Sequence, residues 1–255
     1  MSFGNTEAGE KSPLPLGVGV RLAARHPAGL LAFEKPAGLA AHPNRPADRK
    51  RALLDAPYDL ERECYRLDGG IPLFLLNRID SPTSGLVLAT GDSKLAEQVK
   101  ESFRKGEVAK TYFAVVKGLR IQPQSGEWRD RLVRRQQQGV IRAAVGVGGV
   151  PAISRYQWKR GISTPAPLSL LCLFPQTGRT HQLRVQCAAR AHPIAGDKTY
   201  GDFAFNRLLE KSGVADRLFL HAASVSLSFS WQGRRCDFCA DSPLPEAFTA
   251  LFPGL

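Results

Sequence analysis

The spacing of apolar positions changes along the chain, and each change predicts an element. "LLAFEKPAGL" (30–39) reads as a short apolar strand stopped by Pro36 and Gly38. "GLVLAT" (85–90) reads as a buried strand. The next stretch sets Leu95, Val99 and Phe103 four apart behind a cap at Asp92 or Ser93, with Gly106 to end the helix. "KTYFAVVKG" (110–118) is β-branched and aromatic, hence a strand, and "LSLLCLF" (168–174) is a second buried one. "GRTHQLRVQCAARAHP" turns through Gly178 into a helix with Leu183, Cys187 and Ala191 on one face, closed by His192 and Pro193. In "SVSLSFSW" (224–231) Val225, Leu227, Phe229 and Trp231 alternate with serines, as in a half-buried antiparallel strand. "SPLPEAFTALF" closes as a Pro-initiated helix.

Other stretches lack a period. Residues 43–70 read as a loop or insertion, and residues 1–17, rich in Gly, Ser, Pro and Glu, as a flexible tail. The folded part is expected to begin near Val20, with 18–255 as a single domain. Strands and helices mix without a regular βαβ rhythm, so the expected class is α+β with a mixed, largely antiparallel sheet flanked by helices.

Charge sharpens this picture. The chain has 255 residues and a formal net charge of +12, with 24 Arg to 11 Lys. Arginine forks onto phosphates and stacks on flat rings, so a polyanion, RNA or DNA, is the expected partner. An Arg-rich genome would leave the same mark. Between residues 120 and 160 nine of 11 charged residues are basic, which predicts strands carrying a basic face. Five cysteines in a long chain suit a reduced, cytoplasmic protein, and the lone CxxC at Cys236 and Cys239 lacks a second ligand pair for a structural zinc. No run of 18 apolar residues occurs, so no membrane role is expected. Dinucleotide, P-loop and nucleophile-elbow motifs are missing, and chemistry without metal or cofactor is expected.

Two stretches then stand out. "NRIDSPTSGLVLAT" (77–90) puts Arg78 and Asp80 on a turn before a buried strand, and "TGRTHQLR" puts Arg179 and Arg184 at a helix start after a strand. Read alone, Asp80 serves equally as a turn former or cap, and the arginines as a solvated helix start.

Together these stretches resemble the RluA-type RNA pseudouridine synthases. "NRIDSPTSGLVLA" is similar to their H-R-L-D-x-x-T-S-G-L stretch, and "GRTHQLRVQCAARAHPIAGDKTYG" (178–201) to their G-R-T-H-Q-I-R and G-D-x-x-Y-G stretches. "EKPAGLAAHP", "KTYFAVVKG" and "LHAASVSL" resemble three further motifs, all in the family's order. The resemblance implies an isomerase of uridine in rRNA or tRNA without a cofactor, and a monomer is expected. It places Asp80 on the catalytic nucleophile, Arg179 on the arginine paired with it, and Tyr112 on the ring that stacks on the base. Arg78, Lys110, His181, Leu183 and Arg184 form the implied substrate-binding set. A guanidinium near the carboxylate would favour its ionised, reactive form.

Asn77 departs from the family's His and Ile79 from its Leu, with an altered RNA contact as the expected consequence of the first. Few residues precede the first motif, so no separate N-terminal RNA-binding domain is expected, and the Arg129–Arg160 stretch becomes the candidate for RNA grip. Two rival readings stand beside this one. The first is a catalytically silent RNA-binding protein on the same fold, and the second a glycoside hydrolase, which ordinarily needs two carboxylates at the bond.

Overall fold

The computed structural model describes residues 14–137, 140–214 and 216–254. Its strands are β1 (Arg21–Arg25), β2 (Leu30–Lys35), β3 (Tyr58–Asp59), β4 (Cys64–Arg66), β5 (Pro72–Leu75), β6 (Ser84–Thr90), β7 (Ala109–Lys117), β8 (Ser125–Gln137), β9 (Val140–Val145), β10 (Val150–Ile162), β11 (Leu168–Pro175), β12 (Leu220–Trp231) and β13 (Arg234–Asp241). The helices are α1 (Ser93–Lys105), α2 (Gln182–Ala189), α3 (Phe203–Lys211) and α4 (Glu246–Leu251). All strands join one sheet with the central order β3-β4-β5-β6-β12-β7-β11-β10-β8-β9. Pairing is antiparallel except at one seam, where β6 and β12 run parallel through His221↔Ser84 and Ala222↔Gly85. The α+β class and mixed sheet expected from the sequence are what the chain adopts.

Local chemistry explains the elements. The Asp92 side chain accepts from Leu95 N–H to start α1, and Gly106 ends it in the left-handed conformation, where a missing Cβ removes the penalty. Leu95, Ala96 and Val99 bury against β2, β6, β12 and β13. At the seam Gly85 has φ 111°, and a Cβ there would lie 2.1 Å from the Ala222 carbonyl oxygen, so only glycine lets β6 approach β12. Side chains bolt the same seam in one direction. Arg217 Nη2 donates to Ser84 Oγ at 2.6 Å, Ser84 Oγ meets His221 Nδ1 at 2.9 Å, and His221 Nε2 meets the Ser242 carbonyl at 3.2 Å. Burial pulls the pKa of His221 down to about 4, so the imidazole in this chain is neutral.

Three expectations change. The helix after Gly178 ends at Ala189, and Ala191 lies beyond it at φ 59°, so Ala191 does not share the face of Leu183 and Cys187. The 43–70 stretch is not loop throughout, since β3 and β4 form there and Tyr65 is fully buried. Of the predicted tail, residues 1–13 lie outside the described residues, whereas Leu16 bridges Leu54 and Gly17 N–H donates to Leu53. Helix α3 and strand β13 carried no clear period and are additions of the structure. No helix among the described residues is long and apolar enough to cross a membrane.

Candidate active site

Asp80 lies on the turn that enters β6, beside the parallel seam. That turn is strapped from below by Lys35, the last residue of β2, which is fully buried. Its Nζ donates to the carbonyls of Ser81 (3.1 Å), Thr83 (2.6 Å), Leu39 (2.8 Å) and Pro36 (3.0 Å). Burial lowers the Lys35 pKa to about 7, while the negative charge of Asp80 opposes that shift. Ser81 and Gly38 exchange two further hydrogen bonds, at 2.8 and 3.1 Å, so the "KPAGL" and "DSPTSG" turns form one rigid unit. The aspartate is thereby held on fixed backbone at a partly open position.

Helix α2 brings its counter-charge. His181, at φ 55°, takes the strained left-handed conformation that turns the chain from the 175–180 loop into the helix. Gln182 locks that turn, its Oε1 accepting from Thr177 Oγ1 at 2.6 Å and Arg179 N at 3.0 Å, its Nε2 donating to Ser154 Oγ at 2.8 Å. Arg184 then falls in the first turn of α2 and points inward. Its Nη1 donates to Asp80 Oδ2 at 3.0 Å, while Nε and Nη2 grip both oxygens of Asp197 at 2.8 Å each. The Arg184 and Asp197 side chains are 5% and 1% exposed against 24% for Asp80, so one carboxylate is a buried anchor and the other faces the cavity. Burial alone would depress the Arg184 pKa, but hydrogen bonds and charge from Asp197, then Asp80, raise it above the ordinary arginine value. The guanidinium also lies over the Tyr200 ring at 5.1 Å.

This arrangement corrects one expectation. Arg179 does not pair with Asp80: it is exposed, and its Nε donates to the Pro151 carbonyl at 2.9 Å. Arg179 precedes the αL turn and Arg184 follows it, so only the latter is swung toward the seam.

The remaining predicted residues do converge. Asp80, Tyr112, Lys110, Leu183 and Arg179 line one cavity of about 340 Å³, together with Arg78, His181 and Arg184. Tyr112 and Lys110 share the cavity-facing side of β7, two residues apart. Burial, and secondarily Asp80, raises the Tyr112 pKa above the usual phenol range, so Tyr112 is a neutral ring there. His181 Nδ1 meets Tyr200 Oη at 2.7 Å and its Nε2 stands 3.8 Å from Asp80 Oδ2. Burial leads in holding its pKa below the normal imidazole value. Arg78 stands exposed at the rim, its Nη1 3.2 Å from His42 Nε2, and the His42 ring stacks on Tyr58 at 4.6 Å. Asn77 has a structural explanation. Its Oδ1 accepts from Leu88 N–H at 2.7 Å and its Nδ2 reaches the Leu86 carbonyl at 3.5 Å, so at the edge of the cavity its amide is spent extending the β5–β6 ladder by a side chain.

Asp197, Tyr200 and Lys35 escaped sequence reasoning as site residues. Asp197 lies 13 positions beyond Arg184 in "GDKTYG", and no periodicity links the two.

The basic stretch forms an arm of β8, β9 and β10 at the end of the sheet. Its inner face packs Leu132, Ala143 and Ala152 on Val185 of α2, and Asp130 receives Gln186 at 2.9 Å and Arg190 at 3.2 Å. Tyr200 Oη also accepts from Ala143 N–H at 2.8 Å. Arg129, Arg131 and Arg135 alternate along the other face of β8, and Arg135 sits directly opposite Arg142 on β9.

Comparison with known proteins adds an independent finding. The family model described as RNA pseudouridylate synthase matches residues 29–189. A protein of Haemophilus influenzae named tRNA pseudouridine synthase C is 34% identical over 209 residues, covering 77% of this chain and 82% of that one. A Vibrio vulnificus protein named ribosomal large subunit pseudouridine synthase C is 32% identical over 203 residues, covering 77% of this chain and 58% of that one. Among solved structures, human RNA pseudouridylate synthase domain containing 1 shares the fold, with a TM-score of 0.64 at 23% identity over 95% of this chain and 89% of that one.

Proposed function

This chain belongs to the RNA pseudouridylate synthase family, and on that premise we propose that it isomerises uridine in a structured RNA, rRNA or tRNA, with Asp80 as nucleophile on an everted nucleotide. The observation that carries this reading is the Asp80–Arg184–Asp197 arrangement. A buried, bidentate Asp197 fixes the guanidinium, and the guanidinium in turn holds, by an ion pair at 3.0 Å, the carboxylate of Asp80, the acidic residue that lines the cavity among the described residues.

The cavity suits a flipped pyrimidine. Removing a base from its stack costs a few kcal/mol, and stacking it on a ring such as Tyr112 returns about 1–3 kcal/mol. Leu183, which lines the same cavity, offers the base an apolar wall. Asp80 attacks the nucleotide, the bond from base nitrogen to sugar breaks, the base turns within the cavity, and carbon five bonds to the sugar. The proton on carbon five leaves, the nitrogen regains one, and Asp80 is released. No oxidant or group donor enters this balance.

Grip on RNA outside the target nucleotide comes from the arm. No carboxylate lies within 4.0 Å of Arg131, Arg134, Arg135 or Arg142 among the described residues. Like charges directly opposite on neighbouring strands are unfavourable, and a phosphate backbone relieves them. Both named relatives act, by name, on structured RNA, which sets the substrates to try.

The direct test incubates purified protein with tRNA or rRNA carrying tritium at carbon five of uracil. Release of tritium to water, lost in Asp80→Asn, is expected. No release from either RNA pool, with RNA still bound, would leave the silent RNA-binding protein as the better account.

A further inference from the structure

Lys35 lies beneath the Asp80 turn and Lys110 lines the cavity; both have depressed pKa values, and their surroundings are opposite. Lys35 is surrounded by four carbonyl acceptors and serves the backbone. Lys110 has no carboxylate within 4.0 Å and no hydrogen-bond acceptor among the described residues. Its Nζ lies 5.9 Å from the Phe103 ring centroid, a weak neighbour for a full charge. Asp80, the acidic residue lining the same cavity among the described residues, is already engaged by Arg184. Burial alone draws the pKa of Lys110 down to about 8, so it remains a cation at neutral pH.

Lys110 is half-buried on β7, and an ammonium partly withdrawn from water without a partner is costly; such groups are ordinarily paired. The position explains what the partner is. The β7–β11 ladder ends at Tyr112↔Leu173, and beyond it β11 continues to Pro175 paired with β10 alone. Lys110 therefore stands where the sheet opens, two residues from Tyr112 on the same side, about 6–7 Å along the strand. That is the reach from a base stacked on Tyr112 to its own phosphodiester, which carries a fixed negative charge in every state of the reaction.

We propose that Lys110 is the phosphate-binding residue of the cavity, its ammonium taking the phosphodiester of the everted nucleotide. This rests on the reading of the cavity as the uridine site. RNA thus supplies the counter-charge that the folded chain withholds, and everted nucleotide is selected over free base.

The test compares wild type with Lys110→Met, which keeps the stem packed on Phe103, and Lys110→Arg, which keeps the charge. Kd for tRNA or rRNA, its salt dependence, the single-turnover rate at saturating RNA and the Tm of the free protein are measured. For Lys110→Met the expectation is a Tm equal to or above wild type, because an unpaired, half-buried cation is gone. Kd should rise about tenfold, as for a lost charge-assisted hydrogen bond. The slope of log affinity against log salt should flatten by about 0.7–0.9, one phosphate contact. Lys110→Arg should restore most of the affinity. An unchanged Kd and slope overturns the proposal. So does a lower Tm, which makes Lys110 structural, or a loss confined to the saturating rate, which places its effect on the base. If wild type itself forms no pseudouridine, the reading of the cavity fails instead.

Discussion

The cavity and the arm both present arginine, and they use it in opposite ways. Arg184 is enclosed between two carboxylates, 5% exposed, with three of its nitrogens within 3.0 Å of an oxygen. Arg131, Arg135 and Arg142 are exposed, and none has a carboxylate within 4.0 Å among the described residues. A cation that already holds its anions positions; one without them recruits. The composition of this chain lumps both kinds into a single net charge.

The strongest challenge to that contrast is Asp80→Asn. Product formation should fall by about 10⁴-fold or more, as when the nucleophile of a concerted set is removed, with RNA affinity little changed in a filter-binding assay. A mutant that keeps a tenth of its activity would make the cavity a binding site only. Next comes Arg184→Met, which strands Asp197 inside the protein without its counter-charge. Breaking a buried pair in this way costs about 3–5 kcal/mol, to be read from urea unfolding, together with loss of turnover. Unchanged stability would mean that Asp197 does not depend on this guanidinium.

On the arm, Arg131→Gln, Arg135→Gln and Arg142→Gln combined should weaken RNA binding by an order of magnitude or more at physiological salt. The salt slope should fall by about 2–3, while the fold stays as stable as wild type or becomes slightly more so. An equal salt slope would reduce this face to a solvated surface. Arg179→Ala tests the boundary between the two regions. Its Nε holds Pro151, which lies opposite Arg131 in the β8–β10 ladder. Its loss should weaken RNA binding only a few-fold, in line with a single hydrogen bond. A collapse of turnover as deep as that of Asp80→Asn would return Arg179 to the catalytic pair.

The smallest expected effect concerns pH. Burial would raise the Asp197 pKa, but the hydrogen bonds of Arg184 and of the Tyr200 and Thr199 amides bring it below the ordinary value. The unfolded chain therefore takes up this proton first, near pH 3.9, and the stabilisation is lost as pH falls through the depressed folded pKa. The stability that wild type owes to Asp197, read from urea unfolding across pH, should be constant from pH 7 to about 5 and fall away below about 4. A loss between pH 6 and 7 would point to His181 instead.

Legibility in the sequence follows the range of each interaction. Helix α1, with its Asp92 cap and Gly106 stop, and strand β12, with its strict alternation, depend on residues a few positions apart, and both were readable. Helix α2 was only half readable, because Gln182 through Cys187 are buried on every side and leave no polar stripe to mark where it stops. Asp80, Tyr112 and Leu183 could be placed at one site through the family resemblance. The arginine on Asp80 could not, since Arg179 and Arg184 are equally plausible until the αL turn at His181 orients them.

The amino-acid order alone determined the local elements, the basic character of the 120–160 stretch and the residue types available for chemistry, because each depends on near neighbours or on simple sums. The tertiary structure alone decided which arginine faces Asp80, that Asp197 anchors it, and that Lys35 is saturated by carbonyls while Lys110 has no hydrogen-bond or ion-pair partner among the described residues. Those outcomes depend on contacts between residues 13 to 104 positions apart, and electrostatic pairing is set by distance in space and by exclusion of water, neither of which is written in the order of residues.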